Sequence, residues 1–410
     1  MKFCLIGEHL SHSYSAEMHG RCGLDYVLKE VPRGKLADFL KEGYDGFNVT
    51  IPYKLEIMPL LDGIDDGAKE IGAVNTVVKK DGKYYGYNTD IEGMRYSIAR
   101  KGVSLNGKSV MILGSGGTSN TAKALCRQEK AKSVTVVSRS GDINYETCYR
   151  CKDTEIIINA TPVGMFPNVG VSPVDLSKFP NLKGVFDCIY NPFNTMLIAQ
   201  AKSLKIPCSD GVPMLVMQAL AAYKIWGVNA DEFDAEDMID DVYKDKLNVV
   251  LCGMPSSGKT TVGKLVAEIL GKKFIDTDAE IFRATGRTPS EIIEKDGEKA
   301  FRDIESEIVT SVAYKTGLCL ATGGGAVLRN DNVRALKANG VIFYIQRDLA
   351  LLSDKNRPLS GLYGIERLFN DRKNFYETAA DITVENDGEK QACADMIAHK
   401  FRQLKYNPKG

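Results

Sequence analysis

Neither sign of charge prevails in this 410-residue chain, which carries 53 basic and 53 acidic side chains. Without a basic excess no nucleic-acid partner is expected, and without an acidic tail no solvating disordered arm. Long apolar runs are also missing. The hydrophobic stretches are short and interrupted, so no membrane span is expected. Met1 leads straight into KFCLIG, which reads as a first strand rather than a secretory leader. The ten cysteines lack the close spacing of a disulfide-stapled domain and fit reduced thiols in a cytoplasmic protein. Cys148 and Cys151 form a CxxC, but no second CxxC and no H-x₃₋₅-H completes a zinc site, so two unpaired loop thiols are expected. Histidine is scarce, four in all. His9, His12 and His19 crowd the N-terminus at a spacing that suits neither a metal site nor a triad, and they read as local polar residues near a site.

What is present is a regular alternation of strand-like and helical patterns, over a length that allows two to three domains. That alternation predicts α/β architecture with largely parallel sheets. SVMIL (109–113), SVTVV (133–137), IIIN (156–159) and VFDC (185–188) read as short buried strands. After Trp226 the chain turns acidic, with Asp231, Glu232, Asp234, Glu236, Asp237, Asp240 and Asp241 among few apolar residues. Residues 228–246 therefore read as a linker, helical in part.

Two glycine-rich loops carry the first functional signals. From Asn248 the chain reads NVVLCGMPSSGKTTVGKLVAEIL, in which Gly253, Gly258, Lys259 and Thr260 satisfy G-x-x-x-x-G-K-[ST]. Val262, Leu265, Val266 and Ile269 give the following helix an apolar stripe. Backbone amides around Ser256, Ser257 and Thr261 are expected to cradle the phosphates of a nucleoside triphosphate, with Lys259 on the β/γ oxygens and Thr260 on Mg²⁺. The second loop, GSGGTSN after Leu113, places Gly114, Ser115, Gly116 and Gly117 in a G-x-G-x-x-G/A pattern with Ser119 at the third glycine position. Small residues there let a pyrophosphate approach the backbone and the helix N-terminus. The next strand ends in Ser138, Arg139 and Ser140, a cation with hydroxyls, which suits the 2′-phosphate of NADP(H) better than a free ribose.

Six motifs surround the second loop in order: HSYS (12–15), NVTIPYK (48–54), GAVNT (72–76), YNTD (87–90), INATPVGM (158–165) and DGVPMLVMQAL (210–220). Together these resemble shikimate dehydrogenase over residues 1–227. The resemblance implies a substrate-binding domain at 1–92, completed by a helix at about 210–227, and a Rossmann domain at 93–209. It makes Lys54 and Asp90 the catalytic dyad, the lysine serving as proton donor to the developing alkoxide. It makes Ser13 and Ser15 ligands of the substrate carboxylate, Thr50, Asn75 and Gln218 ligands of the ring hydroxyls, Tyr190 a neighbour of substrate and nicotinamide, and Gly211 part of the cofactor site. The chain departs from the family in having Ser-Arg-Ser for Asn-Arg-Thr, and in having too few residues between Ser140 and Ile156 for a helix–strand pair.

Downstream, FIDTD (274–278), FRDIE (301–305), TGGG (322–325), NRPL (356–359) and DRKNFYETA (371–379) resemble shikimate kinase, over a P-loop domain at 247–410. The resemblance implies Asp276 as the second Mg²⁺ group and Asp278 as acceptor of the attacking hydroxyl's proton. Arg302, Arg372 and Gly323, Gly324 and Gly325 become the shikimate contacts, and Arg357 the lid arginine. The segment before Arg357 lacks the further arginine usual there, and the lid from Leu359 to Leu368 is short. The expectation is a bifunctional enzyme of aromatic biosynthesis that reduces 3-dehydroshikimate with NADPH and then phosphorylates shikimate with MgATP. Two alternatives stay open: a quinate/shikimate dehydrogenase using NAD in the first half, and a ligand-sensing regulator without chemistry. The oligomeric state is not specified.

Overall fold

In the computed structural model, which describes residues 1–10, 13–352 and 364–404, the chain divides into two units, Met1–Val242 and a second beginning at Tyr243. Arg357 and His12 lie outside the described residues, as do residues 359–363 of the lid.

The first unit holds two sheets. One comprises β1 (Phe3–Gly7), β2 (Tyr26–Glu30), β3 (Gly46–Val49), β4 (Gly63–Ile64), β5 (Thr76–Lys80) and β6 (Lys83–Tyr87), in the order β2-β1-β3-β5-β6-β4. It is parallel except where β5 runs antiparallel to β3 and β6. The other comprises β7 (Ser109–Leu113), β8 (Ser133–Val137), β9 (Ile156–Asn159), β10 (Gly184–Asp187) and β11 (Cys208–Ser209), all parallel, ordered β11-β10-β9-β7-β8. The chain goes from β7 outward to β8 and returns to β9 on the opposite side. A crevice therefore opens at the carboxyl ends of β7 and β9, where open parallel sheets bind ligands. The helix Gly117–Gln128 buries Ala122, Leu125 and Cys126 in the core with Ile112 and Ile158. Helices Asp90–Ala99 and Val212–Trp226 pack so closely that a side chain at Gly93 would lie 2.5 Å from the Met214 carbonyl. Trp226 Nε1 donates to the Val77 carbonyl (2.9 Å), which ties the end of the second helix to the first sheet.

Several expectations need correction. SVTVV forms β8, but only Val137 is buried, because β8 is the sheet edge and lacks a neighbour on one side. β10 ends at Asp187, one residue before the expected Cys188. Cys148 is not a loop thiol but a fully buried member of a hydrophobic cluster with Met111 and Ile157. The segment between Ser140 and β9 follows expectation instead: it makes only a 3₁₀ turn, Cys148–Arg150, and no helix–strand pair.

His19 is a core residue, not a polar neighbour of a site. It is fully buried, with its ring stacked 3.9 Å from that of Tyr26 and its Nδ1 2.8 Å from the Tyr223 hydroxyl. Burial pushes its pKa down to about 3. An unfolded histidine titrates near about 6.5, so between these values the folded chain binds fewer protons than the unfolded one. The stability tied to neutral His19 is full above the unfolded value and is lost as pH falls through that window. Calorimetric melting of the first unit is expected to drop from pH 7 to 5, and to drop less steeply in His19→Phe. Equal slopes would contradict this assignment.

The second unit is one parallel sheet of β12 (Asn248–Cys252), β13 (Lys273–Asp276), β14 (Leu318–Ala321), β15 (Gly340–Gln346) and β16 (Ile382–Glu385), ordered β13-β14-β12-β15-β16. The phosphate loop leaves the central strand, β12. In the helix that follows, Lys259–Leu270, Val262 and Val266 are fully buried and Leu265 and Ile269 are half-buried. The helical stretch Pro289–Ala313 opens on a Thr288/Glu291 capping box and bends at Gly297, whose φ of +88° only glycine takes readily. That bend re-aims the segment carrying Arg302. The acidic stretch is helical over Ala235–Lys246, and Glu236 is held there by Arg100 (2.6 Å) and by the Tyr96 hydroxyl. Among the described residues no helix is long and apolar enough to cross a membrane.

Candidate active sites

In the first unit the chain leaves β3 through Thr50–Tyr53 and delivers Lys54. Tyr53 is fully buried, and its hydroxyl donates to the Val31 carbonyl (2.5 Å), which fixes the turn. Asp90 opens the helix Asp90–Ala99 and receives Lys54 Nζ at 2.5 Å on Oδ2 and Asn75 Nδ2 at 2.8 Å on Oδ1. The side chains of the pair are only 13% and 7% exposed. Two charges so far from water are stable only when geometry and further hydrogen bonds offset their desolvation. Asn75 supplies that second bond. Its side-chain Oδ1 accepts from the Thr89 amide (2.6 Å), so this residue, expected to meet substrate, also braces Asp90.

The glycine turn after β7 lies against this pair. A Cβ at Gly117 would stand 3.3 Å from Lys54 Cβ, and one at Gly114 (φ +106°) would strike Thr161 Cγ2 at 2.9 Å. Gly211 is equally confined, with the Cys188 carbonyl 2.3 Å from where its Cβ would be. Gly116 caps the helix N-terminus, and Ser115 beside it is exposed. Ser119, which stands at the third glycine position, is fully buried. Ser138, Arg139 and Ser140 follow β8, with Arg139 exposed. The Tyr190 ring lies 5.0 Å from that of Tyr14, in the segment that carries Ser13 and Ser15. The amide of Ser15 donates to Ser13 Oγ (3.2 Å). Thr50 is partly exposed beside Gly7, whereas Gln218 is buried with its amide donating to the Leu215 carbonyl (2.9 Å).

In the second unit a cleft of about 280 Å³ is lined by Ser256, Gly258, Lys259, Thr260, Thr261, Asp276, Asp278, Thr322, Gly324, Arg347 and Lys390. Gly253 underlies it at φ +144°, with the Ile345 carbonyl 2.5 Å from a Cβ position there. Ser257 is fully buried, and its carbonyl accepts from Asn386 Nδ2 (2.7 Å). Lys259 Nζ donates to the carbonyls of Gly253 (2.9 Å) and Met254 (2.8 Å) and so holds the loop's curvature. Thr260 Oγ1 donates to Asp276 Oδ2 (2.7 Å), while Asp276 Oδ1 accepts from the Asp278 amide (3.0 Å).

Around Gly323–Gly325 the remaining residues converge. A Cβ at Gly323 would meet Glu305 Oε1 at 2.5 Å and Asp278 Oδ1 at 2.9 Å, and one at Gly325 would overlap the Arg302 guanidinium at 2.2 Å. Arg302 donates to Glu305 (2.7 Å) and Glu298 (3.1 Å), and Arg372 Nη1 to the Gly324 carbonyl (3.3 Å). Both arginines are buried. Burial raises the Glu305 carboxyl above its usual range, against the pull of Arg302. Glu305, Arg347, Lys390 and Asn386 carry no role in the sequence reading. Spacing could have found Glu305, three residues after Arg302 on one helix face. Nothing local marks the other three, which are brought to the loop from beyond β15 and β16.

A buried lysine–aspartate pair against a glycine-rich turn in the first unit, and a phosphate-loop cleft in the second, suit the class of an oxidoreductase unit followed by a P-loop phosphotransferase unit. Comparison with known proteins gives the family. Residues 5–77 match the shikimate dehydrogenase substrate binding domain, and residues 255–403 match shikimate kinase. The shikimate dehydrogenase (NADP(+)) of Clostridium perfringens is 35% identical over 264 residues, covering 58% of this chain and 97% of that protein. The structure of shikimate dehydrogenase 1 from Peptoclostridium difficile aligns with a TM-score of 0.55 at 35% identity, over 59% of this chain and 98% of its own. The Thermus thermophilus enzyme in complex with NADP(H) and shikimate aligns at 0.53 and 28% identity, over 58% and 97%. The chain belongs to the shikimate dehydrogenase family and carries a shikimate kinase domain after it.

Proposed function

We propose that this protein performs two consecutive steps, reduction of 3-dehydroshikimate by NADPH and phosphorylation of the resulting shikimate by MgATP to shikimate 3-phosphate. The observation that carries the reading is the buried Lys54–Asp90 pair set against the Gly117 turn, on the same chain as a complete phosphate loop. NADPH supplies the hydride when bound, and the residues for it are Gly114–Gly117 and Arg139. Lys54 gives its proton to the carbonyl oxygen as that oxygen becomes an alkoxide, and Asp90 holds the lysine aimed. Ser13 and Ser15 take the carboxylate, and Tyr190 closes beside them.

In the second unit ATP supplies the phosphoryl group, and its Mg²⁺ neutralises charge on the phosphates. Thr260 and Asp276 are the fitting metal ligands, hard oxygens already 2.7 Å apart. Asp278 receives the proton of the attacking hydroxyl, the same hydroxyl that the first step creates. Arg302 and Arg372 clamp the carboxylate. A regulator without chemistry would not need Lys54, Asp90, Lys259 and Asp278, and all four are present.

Arg139 tests the cofactor choice. Arg139→Ala is expected to raise the KM for NADPH by about 10- to 100-fold, the loss of one charge-assisted bond to a phosphate, and to leave the KM for NADH unchanged. Initial rates with both dinucleotides decide it. Equal effects on both would support the NAD alternative.

A further inference from the structure

Asp187 ends β10 fully buried, and nothing in the chemistry above uses it. Its carboxylate accepts from Asn159 Nδ2 (3.0 Å) and the Ile189 amide (3.1 Å) on Oδ1, and from Thr195 Oγ1 (2.7 Å) on Oδ2. None of these partners is a cation, so burial is only partly offset. It pushes the carboxyl up to about 7, the three bonds pull it down, and the charge of Asp210 pushes it up again. An ion buried without a countercharge is a poor way to gain stability. Its return has to lie in what the bonds hold.

Each donor anchors a different part of the dehydrogenase site. Asn159 ends β9, and its Oδ1 accepts from the amide (3.1 Å) and hydroxyl (2.7 Å) of Thr161. Thr161 is the side chain pressed against the Gly114 turn. Ile189 starts the loop that carries Tyr190, whose ring packs 5.0 Å from that of Tyr14 beside Ser13. Thr195 closes that loop and caps the helix Met196–Ser203 by accepting from the Ile198 amide (3.2 Å). One carboxylate thus stands at the root of two loops, one beside the dinucleotide turn and one beside the sugar-acid pocket.

We propose that Asp187 is a positioning residue of the dehydrogenase site, setting the spacing between the Thr161 loop and the Tyr190 loop so that both ligands bind in register. The proposal rests on the dehydrogenase reading. Asp187→Asn in the full chain keeps the shape but turns an NH₂ toward Thr195. It is expected to raise KM for NADPH and for 3-dehydroshikimate by about tenfold, with kcat at saturation within about threefold, and to leave the kinase constants unchanged. A merely structural role predicts the opposite split, since partial unfolding lowers the active fraction, and with it kcat, without moving KM. Thr195→Val is expected to raise the KM for 3-dehydroshikimate, and Thr195→Ser, which keeps the hydroxyl, to restore it. Wild-type KM values in Asp187→Asn, or a loss of kcat alone, would overturn the proposal. If the wild-type protein reduced no 3-dehydroshikimate, the dehydrogenase reading would fail separately. Asp187 would then be judged on NADPH affinity by fluorescence, where about tenfold weakening supports it and an unchanged Kd overturns it.

Discussion

Lys54→Ala lowers kcat for 3-dehydroshikimate reduction by about 10²- to 10⁴-fold, the range a positioned general acid contributes, and leaves shikimate phosphorylation untouched. The size follows from the site's closure. Lys54 is 13% exposed, so water is a poor substitute donor at the oxygen it faces. Asp90 keeps its bond from Asn75 in the variant but loses its countercharge. Some loss of stability is therefore expected alongside the loss of rate, and kcat is to be corrected for folded fraction by circular dichroism. Asp90→Asn keeps the side chain's shape and is expected to cost less than Lys54→Ala. A wild-type kcat in Lys54→Ala would show that the proton comes from elsewhere.

The second large effect lies in the other unit. Lys259→Ala lowers kcat for shikimate phosphorylation by about 10²- to 10³-fold, comparable to removing one preorganised donor from a developing charge. It also leaves the carbonyls of Gly253 and Met254 without their shared partner, so the KM for ATP rises as the loop loses its curvature. NADPH oxidation by the same variant stays at the wild-type rate. Coupled pyruvate kinase–lactate dehydrogenase assays with shikimate supplied directly measure the first effect. A variant that lost both activities would mean that the two units do not work independently.

These two sites differed in how legible they were. The phosphate loop is contiguous, and strand, loop and helix all fall between Asn248 and Leu270, so sequence alone marks both its shape and its ligand. The Lys54–Asp90 pair spans 36 residues and two elements, and only the order of several motifs pointed to it. Side chains that act on other side chains were harder to place. Asn75, expected to meet substrate, also braces Asp90 through its amide, a link between two elements that no local pattern shows. His19 looked polar in sequence, and Tyr26 and Tyr223 make it part of the core. Burial of β8 was overestimated because a run of β-branched residues does not say whether a strand is central or at an edge. Arg347 and Lys390 reach the phosphate cleft only through the order of β15 and β16 in the sheet, which no local pattern encodes. Asp187 was read only as part of a strand, VFDC, although its carboxylate joins three segments of the site.

The most direct test of the account is a single incubation of the purified full chain with 3-dehydroshikimate, NADPH, ATP and Mg²⁺, followed by mass spectrometry and absorbance of NADPH. The account predicts one NADPH oxidised and one ADP formed for each shikimate 3-phosphate released, with no other enzyme added. NADPH oxidised without phosphorylated product, or no NADPH oxidised at all, would contradict it.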